Sequence, residues 1–88
     1  MLTAAQLRAA RALLGMDQKT LADRSGVSLP TIQRMEASAG NVRGIVNTLI
    51  RVVEALDREG IELIGDGATS TGGGRGVRLK RPETRKPR

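Results

Sequence analysis

The chain has 88 residues, 15 of them Lys or Arg against 9 Asp or Glu for a formal net charge of +6, and it contains no Phe, Tyr, Trp, His or Cys. That inventory excludes histidine acid–base catalysis, thiol nucleophiles, Cys/His zinc sites, disulfides and aromatic stacking on unpaired bases. The length suits one small domain near the limit at which a single core is self-sufficient, and the absence of any apolar run near ~18 residues or of a signal-peptide pattern makes the cytoplasm the expected compartment, with no membrane partner.

Thr3 followed by Gln6 has the form of a capping box, and it predicts a helix from about Ala4 to Leu14 that Gly15 stops. Leu7, Ala10 and Leu14 make its inward stripe, and Arg8 falls on a solvated face. Asp17 can cap a second helix, in which Leu21 and Ala22 form an inward patch. Ser25-Gly26 ends it, because glycine takes the left-handed conformation of a sharp reversal without a Cβ penalty, and Val27 plugs the corner. Ser28 caps a third helix from Leu29 to Glu36. Pro30 fits near its start because the missing N–H falls among donors that have no intrahelical partner. Ile32 and Met35 point inward, leaving Thr31, Gln33 and Arg34 on the outer faces.

Residues 37–41 read as a loop, and Gly40 or Asn41 can start a fourth and longest helix. There Ile45, Leu49, Val52, Val53 and Leu56 recur at helical spacing through Arg58. Arg43 sits in its first turn, where a cation opposes the helix dipole; a nearby phosphate would explain it, and so would simple exposure. Beyond Gly60 the period changes. Ile61–Ile64 and Gly76–Lys80 are predicted strands, the second with Val77 and Leu79 on one face and Arg78 and Lys80 on the other, joined by a mobile loop rich in Gly, Ser, Thr and Asp. An isolated two-stranded hairpin is marginal in water, so it needs either its own helices or the same hairpin in a second chain, and strand-mediated dimerisation is the favoured of the two. Arg81–Arg88, with two prolines and alternating cations, reads as a tail that is disordered when unbound. Residues 1–74 balance in charge, so the whole excess lies in the last fourteen residues.

The run from Gln18 to Glu36 resembles the phage-repressor-like (XRE, Cro-type) helix-turn-helix family. Its pattern is matched by Gln18, Leu21-Ala22, Gly26-Val27-Ser28, Thr31-Ile32 and Glu36, with Arg11, Leu14 and Gly15 in the places of the family's first helix. The resemblance covers about two-thirds of the chain. It implies a mainly α fold with a four-helix lambda-repressor-like helix-turn-helix domain over residues 1–60, and says little of the rest, which the residues themselves give as the two-stranded β-hairpin at 61–80, a candidate dimerisation element, and the basic tail at 81–88. It implies a sequence-specific double-stranded DNA-binding transcriptional regulator of repressor type, acting as a homodimer on a two-fold symmetric operator; the lack of His and Cys and the scattering of acidic residues over predicted helices separately argue against an enzyme or a cofactor. It also implies an ion pair between Arg11 and Glu36 and phosphate contacts from Gln18 and Ser28.

In such a protein the helix from Leu29 would enter the major groove. Leu29, Pro30 and Thr31 would approach base edges, Arg34 would contact guanine, Gln33 would reach adenine or a phosphate, and Leu29 or Thr31 would touch a thymine methyl. Leu29-Pro30 supplies no side-chain donors where relatives often carry amides, which shifts specificity toward Arg34, apolar contacts and DNA shape. The alternative on the same scaffold is a protein-binding module, an antitoxin or antiactivator that masks a toxin or another regulatory protein.

Overall fold

Local capping chemistry sets where the helices begin. In the computed structural model, which describes residues 2–40, 46–65 and 72–80, α1 spans Ala4–Leu14. The Thr3 side chain accepts the Gln6 backbone N–H and the Gln6 side chain accepts that of Thr3, which closes the predicted capping box. Helix α2 spans Gln18–Ser25, with Asp17 accepting the Thr20 N–H at 2.8 Å. Gly26 follows at φ +71°, and its N–H and that of Val27 both reach the Ala22 carbonyl, so the chain reverses within three residues. Helix α3 spans Leu29–Glu36 behind the Ser28 cap, and α4 spans Val46–Arg58. Strands β1 (Ile61–Ile64) and β2 (Gly76–Leu79) pair antiparallel, Ile61 opposite Leu79 and Leu63 opposite Val77. The predicted helix start at Asn41, Arg43, Ile45, most of the loop between the strands and the tail at 81–88 lie outside the described residues.

Among the described residues Leu2, Leu7, Leu21, Ile32, Met35, Val52, Leu56 and Ile61 are the largest fully buried side chains. Helix α3 packs on α1 and α2, α4 packs on α2, and the two-stranded sheet lies on α1 through β2 and on α4 through β1. Of the two supports that a lone hairpin requires, the chain's own helices therefore supply one. Ile61 of β1 is only 1% exposed, inside the helical core.

Gln6 makes the polar half of that joint. Its Oε1 accepts the Thr3 N–H at 2.9 Å, while its Nε2 donates to the carbonyls of Ile64 at 3.1 Å and Gly76 at 2.8 Å. A single buried amide thus caps α1 and holds both strands at the loop end of the hairpin. At the other end the Lys80 N–H reaches the Gly60 carbonyl and Lys80 Nζ pairs with Asp57, both closing β2 back onto the end of α4.

Gln6→Ala removes the donor to two strand carbonyls and the acceptor for the Thr3 N–H in one step. Stability is expected to fall by about 1–3 kcal/mol in urea unfolding, with amide exchange accelerating in β1 and β2 before the helices. Uniform acceleration across all elements would show that Gln6 does not hold the hairpin separately.

Candidate nucleic-acid interface

Helix α3 has two unlike sides. Ile32, Met35 and Glu36 are buried, Leu29 and Thr31 are half-buried, and Ser28, Pro30, Gln33 and Arg34 are exposed. Leu29 packs in part against the core, so less of it is presented outward than of Pro30. Along the outer side runs a short polar chain. Ser28 Oγ donates to Thr31 Oγ1 at 2.8 Å, and Arg34 Nη2 donates to the same oxygen at 3.1 Å. Arg34 thereby folds back by one helical turn toward the N-terminal half of α3, the half the sequence assigns to base edges.

The opposite end of α3 is fixed by charge. Arg11 Nε meets Glu36 Oε2 at 2.6 Å and its Nη2 meets Oε1 at 2.9 Å, a two-pronged fork, while its Nη1 donates to the Met16 carbonyl at 3.0 Å. Gln18 Nε2 donates to Glu36 Oε1 at 3.1 Å, so the side chain that the resemblance directs at phosphate also braces α2 against α3. Burial alone would raise the Glu36 pKa; the hydrogen bonds from Arg11 and Gln18 outweigh it and hold the carboxyl below its ordinary range. The hydrogen bond to Glu36 correspondingly raises Arg11.

Arg8 is not on a merely solvated face, because its guanidinium donates to the Glu36 carbonyl, one of the acceptors that a helix end leaves without an intrahelical partner. Its spacing of three from Arg11 on α1 was the available signal, since residues three apart share a helix face. Arg8, Arg11 and Gln18 therefore converge on one residue of α3. Lys19 points outward beside Asp23, at 3.6 Å and with both largely in solvent, and Thr20 is half-buried at the start of α2. Arg43 lies outside the described residues.

Among the described residues no helix is long and apolar enough to cross a membrane, and no group of three or more acidic side chains is placed to hold a metal ion. Residues 7–63 match the model of a family described as helix-turn-helix, from α1 through β1, a stretch that includes every side chain converging on Glu36. A search of curated proteins gave no match.

Because the folded-state pKa of Glu36 lies below its unfolded value of about 4.3, its contribution to stability is fully present above that value and is lost as pH falls through the folded pKa. Glu36→Gln is expected to lose stability at pH 7 and to show a flatter decline between pH 5 and 2 than the parent in thermal melts. Asp17, held low by the Thr20 N–H, supplies part of the remaining acid sensitivity. Parallel declines for parent and variant would remove Glu36 from the acid transition.

Proposed function

The chain belongs to the XRE-type helix-turn-helix family and is a DNA-binding regulator, and from that premise we propose that it is a sequence-specific transcriptional regulator that inserts α3 into the major groove as a homodimer on a two-fold symmetric operator. The observation that carries this is the division of α3 into a locked inner side and an open outer side bearing Pro30, Gln33 and Arg34. The major groove is wide enough for an α-helix and presents a distinct donor and acceptor pattern for each base pair. A side chain can exploit that pattern only if the helix carrying it holds its angle, which the brace on Glu36 provides.

Arg34 carries the principal base contact, a two-pronged bond to guanine, with Thr31 steadying it through the 3.1 Å bond. Gln33 flanks it toward adenine or phosphate, and Pro30 with the exposed part of Leu29 contributes apolar contact near a thymine methyl. Ser28 and Gln18, at the starts of α3 and α2, position the DNA backbone, since helix N-termini favour phosphate. Arg43 and the basic tail at 81–88 add phosphate neutralisation. The domain measures 36 × 31 × 22 Å, so two copies side by side match a half-site spacing of about 34 Å, one turn of B-DNA. Such a regulator works in the cytoplasm, beside its operator.

Selection from random duplexes is expected to return a two-fold symmetric sequence. Arg34→Ala should then weaken binding to it by about 1–3 kcal/mol while sparing unrelated DNA. Equal losses on both would reduce Arg34 to a phosphate contact. Deleting residues 81–88 is expected to lower the slope of log K against log salt by about 0.9 for each phosphate contact removed, and an unaltered slope would exclude the tail from binding.

A further inference from the structure

The polar chain on the outer side of α3 leaves one proton unused. A threonine hydroxyl has two lone pairs and a single O–H. Ser28 Oγ accepts the Thr31 backbone N–H at 3.3 Å and turns its own proton to Thr31 Oγ1 at 2.8 Å, and Arg34 Nη2 donates to the same oxygen at 3.1 Å. Both lone pairs of Thr31 are therefore filled from within α3 and its cap. The Thr31 proton has no acceptor among the described residues. An sp3 oxygen directs its bonds to the corners of a tetrahedron, and with Cβ and two donors on three of them the O–H is left one direction. The hydroxyl, which turns freely in an ordinary surface threonine, is fixed here before any ligand arrives, and a group already oriented gives up less freedom on binding.

A hydroxyl held as a donor suits an acceptor and rejects another donor, because two facing N–H or O–H groups leave both unsatisfied. The surface around it is apolar. Leu29 and Pro30 carry no side-chain donor or acceptor, Pro30 is exposed, and Thr31 adds its own methyl group. Among the base edges of the major groove, thymine alone sets an acceptor, O4, beside a methyl group, whereas cytosine presents only its N4 amino donor.

We propose that Thr31 is a specificity-determining residue that reads thymine, donating its hydroxyl proton to O4 while the thymine methyl lies against Pro30. This rests on the reading of α3 as the major-groove helix and names a second base of its site. Thr31 and Arg34 are joined by the 3.1 Å bond, so the bases they meet are neighbours in the stack, the thymine next to the guanine of Arg34. With the Ser28 proton engaged on Thr31, the phosphate at the start of α3 falls to backbone N–H groups that a helix start leaves unpaired.

The test uses the full chain and the operator it selects, in which the guanine is the base that Arg34→Ala ceases to prefer. The neighbouring thymine is replaced in turn by uracil, which keeps O4 and lacks the methyl, and by 5-methylcytosine opposite guanine, which keeps the methyl and puts a donor in place of O4. The parent is expected to lose about tenfold or more in affinity with 5-methylcytosine, and less with uracil. Thr31→Val, branched alike but without the proton, should bind the thymine and 5-methylcytosine duplexes to within about twofold of each other. Thr31→Ser should keep the parent's discrimination. Each comparison is a ratio at one base pair within one variant, so a general loss of stability or of Arg34 orientation cancels from it. An operator without thymine beside that guanine, a Thr31→Val protein that still rejects 5-methylcytosine, or a Thr31→Ser protein that accepts it overturns the assignment. The two readings fail separately: a parent that selects no sequence defeats the DNA role, whereas a selected operator read alike by parent and Thr31→Val defeats the Thr31 assignment alone.

Discussion

The fork between Arg11 and Glu36 is the constraint on which the presentation of α3 depends. Taking a carboxylate out of water is costly, and here the cost is offset by two charge-assisted bonds from one guanidinium and a third from the Gln18 amide. Such a pair adds modest net stability over an apolar replacement of equal shape, but breaking one side of it leaves a buried charge uncompensated, worth about 3–5 kcal/mol. Its effect is therefore chiefly geometric. Any rotation of α3 away from α1 and α2 has to expose that unpaired charge, so the angle of the outward helix is held against displacement.

Helix α1 ties the two parts of the molecule together, since Gln6 near its start holds the strands while Arg8 and Arg11 hold the end of α3. Among the described residues the buried polar or charged side chains are Gln6, Ser25 and Glu36, and no buried side-chain polar atom lacks a partner. Each sits where two elements meet or the chain turns. Ser25 donates to the Leu21 carbonyl at the reversal between α2 and α3. In a domain this small the apolar core does not dictate every relative orientation, and fully satisfied polar groups specify what non-directional packing leaves open.

Helix α4 is apolar beyond the side that it buries. Its inner stripe completes the core together with Ile61, while the outer strip through Val46 and Ile50 is apolar surface that folding of one copy does not remove from water.

Local chemistry was legible in the residues themselves. The Thr3–Gln6 capping box, the Asp17 and Ser28 caps, the reversal at Gly26 and the period-two strands all depend on atoms within a few positions of one another, and each stands where the sequence places it. The Arg11–Glu36 pair, twenty-five residues apart, came from family resemblance, since no local rule links those positions. Tertiary structure alone decided the rest. Gln6 was readable as a cap, but not as the group that reaches carbonyls 58 and 70 residues away; Arg8 was readable as surface, but not as the donor to the last carbonyl of α3. Helical periodicity marked Leu49, Val52, Val53 and Leu56 as apolar without telling which side of α4 a single chain covers. The physical reason is the same in each case: a side chain's local spacing fixes its direction from its own backbone, whereas its partner depends on how distant elements pack.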